Sequence, residues 1–386
     1  MKHENRFINE LSRIVNGALR LDIEKVRNYT AFLADKLEQD GDPTSAARLR
    51  KVLAESDHQL RPTDVGFGRM LPVDTDTRFP LIERVEWSKL EEPPVALALD
   101  QWDVVNEFLS VAKSYAQFDT QSTVGSISLL MYGPPGTGKS RLARHIARDL
   151  GLDLYVARLD GLISSFLGST SKNIRALFDF AAKTPCVLFL DEFDAIAKLR
   201  GDSQELGELK RVVNSFIQNL DALGPQSIVL AATNHQELLD SAVWRRFGYR
   251  LELRYPDESM RKQLWHDFLA PTEITDREID LLVDLSEGFS GSDIHEVSRR
   301  LHRRHITTKT PSQLKDAFSV LQNLSLGEGE ERRFLSALRG KSVEDMAGLL
   351  RERNEKLYSH ASLAQLLGIS KATAYRRSQG SKKDGN

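Results

Sequence analysis

The chain reads as an α/β protein: a parallel-sheet domain built around a glycine-rich loop, joined to helical domains on both sides. Three observations predict this. Ile127-Ser-Leu-Leu-Met-Tyr132 is an apolar run of strand length, Gly133-Pro-Pro-Gly-Thr-Gly-Lys-Ser140 follows it, and Leu142, Ile146 and Leu150 then recur at helical spacing. Val187-Leu-Phe-Leu190 is a second apolar run, ending in Asp191 and Glu192, the pattern of a buried parallel strand that delivers carboxylates to the ligand-binding edge of a sheet. Before residue 60 and from Ser259 to about Gln322 the apolar pattern is helical.

The elements follow in order. Phe7, Ile8, Leu11, Ile14 and Val15 share one face of a first helix. Ile23, Val26, Thr30, Leu33 and Leu37 mark a second, which Asp40-Gly-Asp-Pro43 ends. Ala46, Leu49, Val52 and Leu53 suggest a third. Residues 1–60 are therefore expected to be a helical domain for recruiting a partner or packing on the rest. Prolines and turn residues between Thr63 and Pro94 predict a linker over 61–100. The sheet domain is placed at 101–255, and within it Leu209, Val212, Val213, Phe216, Ile217 and Leu220 form the core stripe of a helix. Helices occupy 256–325, and Leu326-Gly-Glu-Gly-Glu330 reads as a hinge to a last domain at 326–386.

Composition bounds the rest. The 386 residues predict about two to four units. A net charge of −2 argues against global polyanion binding while leaving local patches open. The single cysteine, Cys186, reads as buried filler, excludes an intrachain disulfide and fits a reducing cytoplasm. No apolar run is long enough to span a bilayer, and the first residues lack a signal-like apolar core.

The loop and the acids imply a chemistry. Glycines at 133, 136 and 138, with Pro134, Pro135 and Thr137 between them, let backbone N–H groups turn around a polyanion at a helix start. Lys139 would neutralise the β- and γ-phosphates of ATP and the Ser140 hydroxyl would ligate Mg²⁺. Asp191 would hold the Mg²⁺ shell through water, and Glu192 is placed to polarise an attacking water. Nucleoside triphosphate hydrolysis is the reaction these residues describe.

With both motifs in place, the stretch from Ser126 to Gln322 resembles the AAA+ superfamily, and within it the clade of hexameric unfoldases and remodellers. That resemblance implies a P-loop large domain, a small helical lid and a homo-hexameric ring acting on a protein substrate. It makes Ile228-Val-Leu-Ala-Ala-Thr-Asn234 the sensor strand, with Asn234 orienting the lytic water. It makes Leu239-Asp-Ser-Ala-Val-Trp-Arg-Arg-Phe247 the segment carrying an arginine finger, and Glu287-Gly-Phe-Ser-Gly-Ser-Asp293 the signature that opens a lid helix. Arg245 and Arg246 are adjacent where many relatives separate them, so the choice of finger stays open. Ser164-Ser-Phe-Leu-Gly-Ser169 falls where the resemblance puts the first pore loop. Phe166, Leu167 and Gly168 would grip extended polypeptide, although Ser165 and Ser169 stand where the family often has Lys and Glu.

The C-terminal segment departs from that family. Ser362 to Arg377 has the pattern of a helix-turn-helix, with a turn on Gly368 and an N-cap at Ser370. Ser370, Lys371, Thr373, Tyr375, Arg376 and Arg377 are the candidate contacts to duplex DNA, with Lys382 and Lys383 just beyond. A helical hairpin for packing or protein docking is the competing reading. Three functions follow: an ATP-driven remodeller, a DNA-docked ATPase, and a regulator of a separately encoded effector. For the last, size and helical N-terminus resemble the ATPase half of two-gene bacterial defence or plasmid-maintenance modules, sometimes paired with a subtilisin-like protease.

Overall fold

The computed structural model describes residues 7–19, 22–55, 71–74, 78–89, 95–114, 127–159, 167–195, 206–223, 227–269, 274–324 and 333–380. Phe166 of the expected pore loop, the 326–330 hinge, Lys382 and Lys383 lie outside them, as do parts of the expected linker. Contacts divide the chain into two compact units, one of residues 1–93, 99–133 and 139–252, the other of 94–98, 134–138 and 253–386.

The first unit holds a sheet ordered β1-β3-β4-β5-β2-β6. These strands are β1 (Glu83–Val85), β2 (Ile127–Tyr132), β3 (Asp153–Arg158), β4 (Cys186–Asp191), β5 (Ile228–Thr233) and β6 (Tyr249–Glu252). All neighbours pair in parallel except β1, an antiparallel edge on β3. Strands β2, β4 and β5 are buried almost from end to end, which is why they read as continuous apolar runs rather than alternating ones. Cys186 is buried at the start of β4.

Helices cover the sheet. In α5 (Lys139–Leu150), Leu142, Ala143, Ile146 and Ala147 form the buried stripe. In α6 (Leu167–Lys183) it is Ile174, Leu177, Phe178 and Ala181, and in α7 (Leu206–Ala222) it is Val212, Val213, Phe216 and Leu220. Helix α4 (Leu99–Lys113) buries Val105, Phe108 and Leu109, and α8 (Ser241–Trp244) is a single turn.

The same unit contains α1 (Ile8–Leu19), α2 (Ile23–Gln39) and α3 (Pro43–Glu55). Asp22 caps α2, accepting from the Lys25 N–H at 3.0 Å, and Asp42 accepts from the Ser45 N–H at 3.0 Å as α3 begins on Pro43. The expected helix forms at α1, with its apolar face turned away from the protein. Its buried residues are Glu10, Arg13 and Gly17, while Ile8, Leu11, Val15 and Leu19 are exposed. Gly17 is the physical reason. A Cβ there would stand 3.0 Å from Val26 Cγ2, so the glycine lets α1 approach α2 closely through its polar face. Lys36 then pairs with Glu10 at 2.8 Å, and Arg13 donates to the Tyr29 hydroxyl.

The second unit is helical: α9 (Glu258–Leu269), α10 (Asp276–Leu285), α11 (Gly291–Thr308), α12 (Leu314–Gln322), α13 (Arg333–Leu338), α14 (Val343–Arg353), α15 (His360–Leu367) and α16 (Lys371–Gly380). Capping boxes Thr275/Glu278 and Ser290/Asp293 start α10 and α11. One apolar cluster runs from Leu264 and Trp265 through Leu301 and Leu321 to Leu335, Leu350, Tyr358, Leu366 and Ala374. Helices on both sides of residue 326 thus share a core. Tyr358 and Arg353 also donate to the Asp284 carboxylate at 2.5 and 2.8 Å.

Candidate nucleotide site

The loop after β2 needs backbone angles that only glycine takes without cost. Gly133, Gly136 and Gly138 have φ of 132°, 80° and 101°. A Cβ at Gly138 would meet nothing within 4 Å, so that side of the loop is open. Within the second unit, residues 134–138 lie against the start of α11. The Ser292 N–H donates to the Gly136 carbonyl at 3.1 Å, and a Cβ at Gly136 would stand 2.5 Å from Ser290 Oγ. The Glu287–Asp293 signature therefore has a structural task that the sequence did not reveal: its capping serine needs glycine opposite.

In the first unit, the Lys139 side chain is buried and its Nζ donates to the Gly133 carbonyl at 2.7 Å. Burial pushes this ammonium down to about 8, against the pull of Asp191 and Asp194, which favour its charge. Ser140 Oγ donates to Asp191 Oδ2 at 3.3 Å. The other oxygen of Asp191 accepts the Glu192 N–H at 3.0 Å. Here a hydroxyl and a carboxylate face each other beside a buried cation, a donor set that suits a phosphate-bound divalent ion. The residues present fit ATP and Mg²⁺.

Glu192 is exposed and left-handed, with φ 54°, a conformation that costs a non-glycine residue about 1–2 kcal/mol. The residues after it hold it there. The Phe193 N–H donates to the Ala232 carbonyl at 2.8 Å, and Asp194, buried, accepts from Thr233 Oγ1 at 3.2 Å. Thr233 in turn accepts the His235 N–H at 3.0 Å, so the ends of β4 and β5 are clamped together around exposed Asn234. Asp194 and Thr233 were missed in the sequence. An acid three residues after Asp191, behind the apolar Phe193, was the available signal.

Arg245 and Arg246 follow α8, which Asp240 caps through the Ala242 N–H at 2.7 Å and which buried Val243 and Phe247 anchor. Both arginines are exposed. Arg246 lies 3.5 Å from Asp221, whereas Arg245 makes no ion pair among the described residues. Leu167 and Gly168 of the expected pore loop are the first two positions of α6. At the C-terminus Ser370 caps α16, accepting the Thr373 N–H at 3.1 Å, and Arg377 pairs with Glu344 at 2.8 Å. Lys371, Tyr375 and Arg376 are exposed. No described helix is long and apolar enough to cross a membrane.

Residues 129–255 match the family described as ATPases associated with various cellular activities, AAA. An uncharacterized AAA family ATPase of Sinorhizobium fredii is 36% identical over 61% of this chain and 71% of its own length. The chain belongs to the AAA ATPase family. It is an ATPase by that membership. Two further relatives share less of their length with this AAA ATPase. A putative 26S proteasome regulatory subunit homolog of Methanothermobacter marburgensis is 34% identical over 46% of the chain and 49% of the relative. Vacuolar protein sorting-associated protein 4 of Dictyostelium discoideum is 29% identical over 71% and 60%. In fold, the AAA ATPase is similar to the crystal structure of the FIGL-1 AAA domain, with a TM-score of 0.52 and 24% identity over 67% of this chain and 90% of that one.

Proposed function

We propose that this AAA ATPase is a remodeller: a homo-hexameric ring that couples ATP hydrolysis to work on a protein partner. The observation that carries the nucleotide half is buried Lys139, its ammonium pushed down to about 8, with Asp191 and Ser140 facing each other beside it. Backbone N–H groups of residues 133–138 and Lys139 bind the phosphates. Ser140 and Asp191 hold Mg²⁺, which supplies charge stabilisation to the phosphoryl oxygens when bound. Glu192 accepts a proton from the attacking water, and Asn234 orients that water. Arg245 acts in trans on a neighbour's γ-phosphate. Its lack of an ion partner among the described residues, against the pairing of Arg246 with Asp221, favours it as the finger. Phe166, Leu167 and Gly168 contact the polypeptide. Two relatives bear names that place them in protein sorting and proteasome regulation, which supports a protein as the object of the work. A separately encoded effector, such as a subtilisin-like protease of a bacterial defence or plasmid-maintenance module, is the partner class raised by the sequence resemblance.

Complementation tests the site and the ring together. Glu192→Gln should retain ATP and lose turnover by about 10²-fold or more, and its particle mass with ATP should be six chains. Lys139→Ala and Arg245→Ala should each be inactive alone. Mixed, the Lys139→Ala subunits supply their Arg245 to intact sites of Arg245→Ala neighbours, and activity should return in part. A mixture as inactive as its components would rule out Arg245 acting in trans.

A further inference from the structure

The C-terminal helices have a surface that nucleotide chemistry does not use. Helix α15 stops at Gly368, whose φ of 67° turns the chain, and three residues later α16 begins under the Ser370 cap. Leu363, Leu366 and Ala374 are buried between them, with Met346, Ala347 and Leu350 of α14 in the same core. Two short helices joined by a glycine-containing turn of three residues, braced by a third helix, are the frame of a helix-turn-helix.

The outer face of α16 has its own composition. Lys371, Ala372, Tyr375 and Arg376 are exposed and spaced i, i+1, i+4 and i+5, so they form one stripe opposite buried Ala374. With His360 they line an open concavity. Tyr375 is 52% exposed and its ring leans on the His360 ring at 5.0 Å, which fixes its direction. There is no carboxylate anywhere in α16. Among the described residues neither Lys371 nor Arg376 is in an ion pair, in contrast to Arg377, which Glu344 neutralises.

We propose that α15 and α16 dock duplex DNA, with the Lys371–Arg376 stripe of α16 entering the major groove. The placement matches what such a unit needs: cations and an amphipathic ring on the N-terminal part of the second helix, which enters the groove between flanking phosphates. Ala372 keeps the centre of the stripe low, so the helix can approach the bases. A protein-docking face would be expected to centre on large apolar anchors, and here the exposed apolar groups are Ala372 and one tyrosine ring. Ser370 and Thr373 contribute the cap, and Arg377 the brace to α14.

The test uses the full chain and a fluorescein-labelled random-sequence duplex of about 30 bp, one helical site with flanks, followed by anisotropy across a salt series. Wild-type binding should weaken linearly in log salt, with a slope of about −0.9 for each phosphate contacted. Lys371→Ala and Arg376→Ala should each reduce the slope by about one. The double variant should lose roughly tenfold or more in affinity, and Tyr375→Ala should weaken the complex with the slope unchanged. Arg48→Ala/Lys89→Ala, which removes equal exposed charge elsewhere, should bind as wild type. DNA-free ATPase of the Lys371→Ala/Arg376→Ala variant should equal wild type, which separates loss of this surface from loss of fold and makes the result independent of the nucleotide reading. No duplex binding by the wild type would overturn the proposal. So would a double variant that binds normally, or duplex RNA bound as tightly as DNA, since its major groove is too deep and narrow for a helix.

Discussion

Lys139 is the residue where geometry and titration make a single point. Its ammonium is buried against the Gly133 carbonyl and depressed to about 8 because the protein offers it too little water. A triphosphate brought to that ammonium favours the charged form and raises its pKa, so binding takes up a proton wherever the empty site is neutral. The sign follows: below pH 8 the lysine is already charged and affinity for ATP is flat, while above pH 8 affinity falls, approaching tenfold per pH unit. Equilibrium binding of a fluorescent ATP analogue to Glu192→Gln, which does not consume it, between about pH 7 and about pH 9.5 would read this directly. A flat profile would mean that Lys139 is not buried against the phosphates. Lys139, Ser140, Asp191 and Glu192 stand out in the sequence as candidates because their chemistry tolerates few other residue types at that spacing. Asp194 and Thr233 are harder to read: an acid three residues after Asp191 is the one trace, and its pairing with Thr233 shows when the ends of β4 and β5 bring them within 3.2 Å.

Secondary-structure elements were legible where a buried stripe decided them and illegible where a close approach did. In α5 and α7 the residues at helical spacing are the ones buried. In α1 the residues at helical spacing share a face, but it is the exposed one, because periodicity reports that a helix is amphipathic without reporting which side meets protein. Gly17 and the Glu10–Lys36 pair turn the polar side inward. An inverted response to mutation is expected. Leu11→Ser and Val15→Ser, on exposed positions, should each change unfolding free energy by no more than about 0.5 kcal/mol. Gly17→Val should cost about 1–3 kcal/mol, because its added carbons collide with Val26 and the α2 backbone. Urea unfolding of the three variants distinguishes the two orientations. If the serine variants lose more than Gly17→Val, the apolar side of α1 is the packed one.

At the scale of the whole chain, the division of labour turns on the segment after residue 325. Leu326-Gly-Glu-Gly-Glu330 has the composition of a hinge, and composition alone cannot report that the segments flanking it bury their apolar residues in one cluster. Leu335, Leu338, Leu350, Leu363 and Leu366 all belong to the core that contains Trp265, Leu301 and Leu321. Each such side chain contributes about 1.5–3 kcal/mol on burial, and together they are comparable to the entire stability of a typical domain, about 5–15 kcal/mol. Arg353 and Tyr358 add charge-assisted hydrogen bonds to Asp284 across the same boundary. A chain ending at residue 325 would leave α12 with an exposed apolar face and Asp284 of α10 without these donors. It should therefore lose cooperative unfolding of that unit, seen as early exposure of buried Trp265 in fluorescence and as rapid proteolysis after residue 257. Its ATPase should fall with it, because the Ser292 N–H of α11 holds the Gly136 carbonyl of the glycine loop and Ser290 lies against the same glycine. A truncated protein with an unchanged urea midpoint and full turnover would show instead that the last four helices ride on the lid without supporting it. A DNA surface built on those helices would then be mechanically separate from the nucleotide loop; a shared core makes it part of the same folded body as α11.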